Sequence, residues 1–192
     1  WLTQRSESIM KSVALLILIA GTAAHAQSGQ IDSARSVVKW TGSKVTGSSH
    51  FGKVPVKSSK LVMKGSEVVR GGVVLDMANF TVDDLDGKWR DKFLTHIRGK
   101  DFFDVKRFPT ASLTIDAIKG GVLSGSLAIM GKSQPITFKV KREAGLYVGK
   151  AAFDRTKYGI KYGSGSFFTG LGDRVIKDQV EIEFRIAVTR GS

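Results

Sequence analysis

The sequence predicts an all-β fold, either a sandwich or a closed barrel, formed by a single domain. Two observations carry this prediction. Apolar and polar residues alternate along most of the chain, and turn residues separate the alternating runs at hairpin spacing. Strict alternation gives each strand one apolar and one wet face, as is typical of antiparallel sheets. Eight or nine such runs favour a sandwich or a barrel, and 192 residues suit one domain of this kind.

The first 26 residues have the pattern of a secretory signal peptide. An apolar run follows Lys11, and Ala24-His25-Ala26 fits a small-x-small cleavage site. The run is shorter than the roughly 20 apolar residues that a spanning helix needs. We predict cleavage after Ala26 and a periplasmic or secreted domain over 27–192, with an uncleaved anchor as the alternative. Met10 is the expected initiator, so residues 1–9 are interpreted as an upstream extension.

The alternating runs follow one another along the rest of the chain. In each, every second residue is apolar, which places the apolar side chains on one face. The last run is the most regular, with Val180, Ile182 and Phe184 set against Glu181 and Glu183. The runs cover 38–40, 51–56, 61–63, 69–77, 111–117, 123–129, 136–140, 147–153 and 180–188.

One helix is predicted between the strands. Leu85, Trp89, Phe93 and Ile97 recur every four residues, and Gly99 offers a C-cap. A helix of about three turns with these residues on one face would cover one end of a barrel.

Three glycines fall on the apolar faces of their strands, at Gly71, Gly125 and Gly149. One interpretation is that they allow bulges or bends through which the sheet closes. The other is that small inward residues leave room for a ligand, because an eight-stranded barrel is either just filled or holds one small molecule.

Few residues suit catalysis. The chain has no cysteine, which excludes disulfides, thiolate metal sites and cysteine nucleophiles. His50 and His96 lack metal-site spacing and are predicted to be structural. Gly131-Lys132-Ser133 fits a hairpin turn and not a phosphate-binding loop, and no Gly-x-Ser-x-Gly elbow occurs. Asp154 adjoins Arg155, and an ion-paired carboxylate suits structure better than acid catalysis. We therefore predict a protein that is not an enzyme.

The net charge of +13 raises the question of nucleic-acid binding. The lysines are spread over many strands and are not clustered with outward aromatic residues, as single-strand binders require. We therefore predict no nucleic-acid partner and a solvated basic surface, with transient attraction to an anionic membrane as the alternative.

The stretch from Ala152 to Asp173 combines Tyr158, Tyr162, Phe167 and Phe168 with several glycines. Glycines at this density exclude a helix, since each costs roughly 1 kcal/mol in a helix interior. The aromatic content is too high for an ordinary solvated loop. The stretch is predicted to be irregular backbone that packs its aromatic residues against an apolar surface.

This stretch and a series of shorter motifs resemble the YceI-like family from about Ile31 to Arg190. Each motif alone is weak evidence for this family, but their order along the chain is specific to it. The motifs are Trp40-Thr41-Gly42-Ser43-Lys44, His50-Phe51-Gly52, Gly71-Gly72, Asp76-Met77, Asp83-Asp84-Leu85, His96-Ile97, Asp101 to Val105, Phe108-Pro109-Thr110, Gly125-Ser126-Leu127, Met130-Gly131-Lys132, Phe153 to Thr156, Tyr158-Gly159 and Tyr162-Gly163.

The resemblance implies a lipocalin-like antiparallel β-barrel of about eight strands, usually exported, that binds a polyisoprenoid or related amphiphilic lipid in an elongated apolar pore. It implies no catalytic residue and no metal or cofactor other than a bound isoprenoid or quinone-like lipid. Lys44, His50 and Arg155 are the predicted contacts of a polar or anionic head group. The predicted cavity wall comprises Trp40, Met77, Phe80, Phe102, Phe103, Phe108, Phe138, Phe153, Tyr158 and Phe168.

Three functional hypotheses follow. The leading one is an exported lipid-binding protein that acts as a carrier, a reservoir or a means of stress-related sequestration. The second is an enzyme or accessory acting on a prenyl or quinone substrate, with His50 or Asp154 as base. The third is a basic interaction protein with a fully packed barrel. The expected partner is an amphiphilic lipid, and a homodimer is the alternative to a monomer.

Overall fold

The structure, a computed structural model, describes residues 26–191. In this range nine strands form one antiparallel sheet, and a single α-helix, α1 (Gly87–Ile97), follows the fourth strand. Two 3-10 turns, Arg155–Tyr158 and Gly172–Arg174, lie in the connection before the last strand. The strands are β1 (Gln27–Lys44), β2 (Ser49–Lys53), β3 (Val56–Lys64), β4 (Glu67–Asp76), β5 (Thr110–Lys119), β6 (Val122–Ile129), β7 (Lys132–Glu143), β8 (Leu146–Asp154) and β9 (Ile176–Arg190).

The sheet closes on itself because β1 pairs with β9 over most of its length, from Gly29 opposite Arg190 to Lys44 opposite Ile176, with a register shift between Asp32 and Val37. On its other edge, β1 pairs with β2 near its C-terminal end and with β3 near its N-terminal end. Pro55 separates β2 from β3, since proline cannot donate to the ladder. β2 and β3 follow each other along the same edge of β1 and occupy one strand position. The barrel therefore has eight strand positions. The predicted closed barrel of about eight strands is confirmed.

The barrel has two distinct ends. At the hairpin end, tight turns join β3 to β4, β5 to β6 and β7 to β8, and a buried cluster that includes Leu61, Met63, Val68, Leu123 and Tyr147 faces the interior. The helix end carries α1 and the long connections. A second buried cluster lies there, and it includes Trp40, Met77, Phe80, Val82, Ile97, Leu127 and Ile160.

The inward glycines allow strands to approach closely and do not open space. A Cβ atom at Gly125 would overlap the carbonyl oxygen of Thr114, next to a register shift in the β5–β6 ladder. At Gly149 it would lie 2.6 Å from both the Lys139 carbonyl oxygen and the Phe184 ring, because that ring covers its cross-strand neighbour. At Gly71 the clash would be with the backbone of β3. The bend interpretation of these three glycines is therefore supported.

The helix starts later than the periodicity predicts and turns Trp89 outward. Asp86 is its N-cap, and Leu85 precedes the helix and packs against the core. Phe93 and Ile97 face the barrel as predicted, but Trp89 is 60% exposed, so its predicted inward position is wrong. Phe102 and Phe103, from the segment after α1, supply aromatic packing at this end of the barrel instead.

Among residues 26–191, no helix is long and apolar enough to cross a membrane. The predicted signal peptide, apart from Ala26, lies outside the described residues.

Candidate functional site

A cavity of about 840 Å³ runs along the barrel interior. Inward aliphatic residues line it near the hairpin end, for example Leu61, Ile115, Leu123 and Val140. Tyr147 closes this end with its hydroxyl already engaged, because that oxygen accepts a hydrogen bond of 2.7 Å from the Val68 N–H. A size of a few hundred to 1,000 Å³ is typical of ligand pockets. The barrel is thus not fully packed, and its deep end offers a ligand only apolar contacts.

The charged residues of the cavity lie towards the helix end. Among the described residues, the basic side chains that line it are Lys44, Arg155, Arg174, Lys177, His50 and His96, and no aspartate or glutamate lines it. Lys44, Arg174 and Lys177 are exposed, so the cavity reaches the surface on this side. We call this opening the mouth. The cavity is therefore amphiphilic along its length, apolar at depth and cationic at the mouth.

Stacked aromatic rings form the wall beside the mouth. Trp40 lies parallel to Phe93 with ring centroids 6.4 Å apart, and it meets Phe80 edge-on at 6.2 Å. Its indole N–H donates a 3.0 Å hydrogen bond to the Thr81 carbonyl, which fixes the ring's orientation. Phe80 in turn contacts Phe103 at 5.9 Å. This chain of rings joins β1 to α1 and to the segment that follows the helix.

A second aromatic group connects α1 to the β8–β9 connection. His96 lies 5.1 Å from Phe102 and 4.8 Å from Tyr162, ring to ring, and all three residues line the cavity. Phe102 and Tyr162 are themselves 5.2 Å apart. The mouth is therefore bordered by packed side chains that link the helix to the connection.

Arg155 organises the β8–β9 connection. Its guanidinium donates hydrogen bonds of 2.9–3.0 Å to the carbonyl oxygens of Ile160, Tyr162, Ile176 and Lys177, and it lies 3.5 Å from the Asp178 carboxylate. Arginine has five N–H donors, and all five are engaged here. Arg155 lines the cavity, but this geometry leaves it no donor for a ligand head group.

The charge of Arg155 is stabilised locally. Burial lowers the pKa of Arg155, and the negative charges of Asp178 and Asp154 oppose this shift. Burial raises the pKa of Asp178, but hydrogen bonds from Ser164 and Ser166 and the charge of Arg155 together hold it below its ordinary value. Both partners therefore remain charged at neutral pH, and their pairing holds the connection to the start of β9.

His50 and Lys44 flank the mouth on the β1–β2 side. His50 Nδ1 lies 2.7 Å from an Asp84 carboxylate oxygen, and the imidazole packs on Phe93 at 4.6 Å. The other Asp84 oxygen accepts a 2.9 Å hydrogen bond from the Phe51 N–H. Lys44 ends β1 and has no ion pair among residues 26–191. Of the three predicted head-group residues, Lys44 is the one with an uncommitted charge.

The structure brings most of the predicted wall together. Phe108 and Tyr158 do not line the cavity. Phe108 lies against Gly131 and the Arg107 guanidinium outside it, and Tyr158 is buried behind the wall with its ring edge-on to Phe153. The predicted residues that line the cavity are Trp40, Met77, Phe80, Phe102, Phe103, Phe138, Phe153 and Phe168.

Sequence reasoning missed the aliphatic part of the wall. Residues such as Val38, Leu127, Ile136 and Ile182 line the cavity alongside the aromatic residues. Their inward position follows from the alternation of each strand, so the signal was present. The prediction named mainly aromatic side chains, whereas every inward-facing position of a barrel strand can line the cavity.

The described residues contain no group of three histidine, aspartate or glutamate side chains arranged to hold a metal ion.

Comparison with known proteins gives one family. The sequence model of the YceI-like domain matches residues 30–188. Two solved structures share the fold. Burkholderia cenocepacia BcnA is 21% identical with a TM-score of 0.58, covering 83% of this chain and 99% of its own. A polyisoprenoid binding domain from Saccharophagus degradans, implicated in plant cell wall breakdown, is 15% identical with a TM-score of 0.60, covering 86% and 99%. No curated protein sequence matches this chain.

Proposed function

The chain belongs to the YceI-like family, and on that premise we propose that its barrel binds one amphiphilic lipid of the polyisoprenoid type, with the tail in the cavity and the head at the mouth. The observation that carries this proposal is the polarity gradient of the cavity, apolar at depth and cationic at its opening. The name of the Saccharophagus degradans neighbour supports the ligand class.

The energetics favour a long apolar tail. Burial contributes about 0.8 kcal/mol per methylene group, so about ten methylene equivalents give roughly 8 kcal/mol before the cost of association. That gross value corresponds to a dissociation constant of about 1 μM, and a longer tail offsets the association cost. A short or strongly polar molecule would gain too little in this cavity.

The head group is proposed to be polar or anionic. Lys44, Arg174 and Lys177 supply exposed positive charge at the mouth, and His50 adds a hydrogen-bonding ring beside them. No lining carboxylate among the described residues would repel a phosphate or carboxylate head. We therefore infer that an anionic prenyl lipid is bound more tightly than its neutral alcohol.

A binding role is favoured over a catalytic one. Asp154, one of the two bases considered, caps the turn that follows β8 by accepting hydrogen bonds from the Thr156 N–H and hydroxyl, and it does not line the main cavity. His50 is paired with Asp84. The protein is thus proposed to be a carrier or reservoir in an exported, water-filled compartment, where a free prenyl lipid would be poorly soluble.

The proposal is tested by blocking the cavity with one side chain. Gly42 lines the cavity, and a Cβ atom there would meet only the Trp40 ring, at 3.8 Å. Gly42→Phe should therefore fold and fill part of the mouth. The matched control is Gly72→Phe, because a Cβ atom at Gly72 has nothing within 4 Å and this residue pairs with the outward Lys60 and Thr114.

Binding is measured by titrating a fluorescent prenyl phosphate into each protein. We expect Gly42→Phe to weaken binding about tenfold or more, since about two methylene equivalents of burial correspond to roughly 1.6 kcal/mol. Gly72→Phe should bind like the wild type. Equal affinity in all three proteins, or no binding by the wild type, would contradict the proposal.

A further inference from the structure

Four of the seven exposed large apolar side chains among residues 26–191 lie on two loops beside the mouth; the other three are Val37, Trp89 and Val122. Phe167 and Phe168 are 47% and 50% exposed, and Tyr162 precedes them on the same connection. Val45, at the β1–β2 turn, is also exposed, and its N–H donates a 3.1 Å hydrogen bond to the Val175 carbonyl of that connection. Two separate loops thus present apolar side chains on the same side of the barrel.

These residues are held outward by the backbone. The Phe167 and Phe168 N–H groups both donate to the carbonyl oxygen of Ser164, a residue that is fully buried. Ser166 donates its hydroxyl to Asp178, which ties the same turn to the start of β9. The turn therefore displays two adjacent phenylalanine rings at the surface, where exposed aromatic pairs need an explanation.

Positive charge accompanies the exposed rings. The Lys161 ammonium lies 4.3 Å from the centre of the Phe167 ring, and Lys44 directly precedes Val45. From residue 159 to residue 177 the chain has three lysine or arginine residues and one aspartate. We call the group Lys44, Val45, Lys161, Phe167, Phe168 and Arg174 the rim patch.

We propose that the rim patch docks the mouth of the barrel onto an anionic phospholipid bilayer. Aromatic side chains with nearby lysines or arginines are the combination that enters the headgroup layer of a membrane and is attracted by its negative charge. The patch is continuous with the cavity, because Phe168 and Lys44 belong to both. This inference rests on the proposed function. It adds the surface through which the lipid would enter the barrel from the bilayer and return to it.

A docked rim patch explains why the cavity opens beside exposed apolar residues. A prenyl tail that moves from bilayer to barrel through the mouth would cross a region already shielded from water by Phe167 and Phe168. A purely electrostatic contact would not need these rings, and a purely apolar one would not need the lysines. Binding should therefore require both parts and weaken as salt is added.

Vesicle co-sedimentation tests the proposal with variants that avoid the cavity lining. Lys161, Phe167 and Val45 do not line the cavity, so the test variant is Lys161→Gln with Phe167→Ser and Val45→Ser. The matched control is Val122→Ser, which changes an exposed valine at the hairpin end. All proteins are made from the full chain, so any contribution of the apolar N-terminal segment is common to them.

The wild type should sediment with vesicles of equal parts phosphatidylglycerol and phosphatidylcholine, and bind pure phosphatidylcholine vesicles at least about tenfold more weakly. The triple variant should lose about tenfold or more of the affinity for the anionic vesicles, and Val122→Ser should match the wild type. Equal binding by wild type and triple variant would overturn the docking proposal. So would a concentration-dependent wild-type dimer that the triple variant abolishes, because the patch would then bind a second copy.

Titration with the prenyl phosphate probe in the absence of vesicles separates this proposal from the one it rests on. We expect the triple variant to bind the probe like the wild type. Probe binding without vesicle binding by the wild type would refute docking alone. Vesicle binding that depends on the rim patch, without probe binding, would refute the lipid-binding function and leave a membrane-docking surface.

Discussion

Replacement of Arg155 tests how the mouth is built. Arg155→Met keeps much of the side-chain length and removes the charge and all five N–H donors. The carbonyl oxygens of Ile160, Tyr162, Ile176 and Lys177 would then lose their shared partner, and Asp178 would lose its positive neighbour. Because Arg155 is only 3% exposed, water cannot simply replace the guanidinium.

The expected loss of stability follows from the number of hydrogen bonds and the ion pair that Arg155→Met removes. Hydrogen bonds to a charged group contribute about 1.5–3 kcal/mol each, but bonds that share one donor group are not additive. Removing one partner of a buried charged pair typically costs about 3–5 kcal/mol, and we expect Arg155→Met to fall in that range. With a urea m-value of about 2 kcal/mol/M, the midpoint should move down by about 2 M.

Urea unfolding of the wild type, Arg155→Met and Arg155→Lys provides the assay. Lysine keeps the charge, but its single ammonium group cannot donate to four carbonyl oxygens at once. Arg155→Lys should therefore recover only a small part of the lost stability. A change below about 1 kcal/mol in Arg155→Met, together with an altered preference between prenyl phosphate and prenyl alcohol, would refute the reasoning. Arg155 would then be a head-group residue, as the sequence first indicated.

Three further predictions concern other parts of the barrel. Gly52→Ala should cost about 2 kcal/mol of unfolding free energy, because its Cβ would overlap the Thr81 carbonyl oxygen that accepts a hydrogen bond from Trp40. Gly72→Ala should be neutral or slightly stabilising, because a Cβ atom there has nothing within 4 Å. Equal changes in unfolding free energy for the two variants in chemical denaturation would contradict this. The pKa of Asp178 is lowered on folding, so its contribution to stability is present above its ordinary value of 3.8 and is lost as pH falls through the folded-state pKa. Between pH 6 and pH 2, the free energy of unfolding should therefore fall less in Asp178→Asn than in the wild type. An identical pH dependence of the unfolding free energy in the two proteins would contradict this. Lys44→Gln combined with His50→Gln should reduce the preference for prenyl phosphate over prenyl alcohol about tenfold in competition titrations, and an unchanged preference would exclude these residues as head-group contacts.

The sequence predicted the strands well because alternation is a local signal. A period of two records which side chains face the interior, and the regular run from Val180 to Val188 lies within β9. The choice between sandwich and barrel depends on whether β1 meets β9, a contact between the first and last strands of residues 26–191 that no local pattern encodes. The family resemblance supplied that part.

Two features of the site depended on contacts that sequence patterns do not contain. The sequence predicts Arg155 as a head-group contact, because side-chain types do not show the backbone carbonyl oxygens that accept its hydrogen bonds. Trp89 appeared to face inward because its spacing matches Phe93 and Ile97, but Phe102 and Phe103 pack at the helix end in its place. The inward glycines, similarly, could be assigned to bends only once the neighbouring strand backbones were placed.

Native mass spectrometry of the protein purified from its native host, followed by solvent extraction, tests the central claim most directly. The account predicts a stoichiometric adduct that extracts as a prenyl or similar long-chain lipid, and a smaller bound fraction in Gly42→Phe. A bare mass for the wild type, with no uptake of added isoprenoid, would contradict it, and the cavity would then not serve as a lipid site.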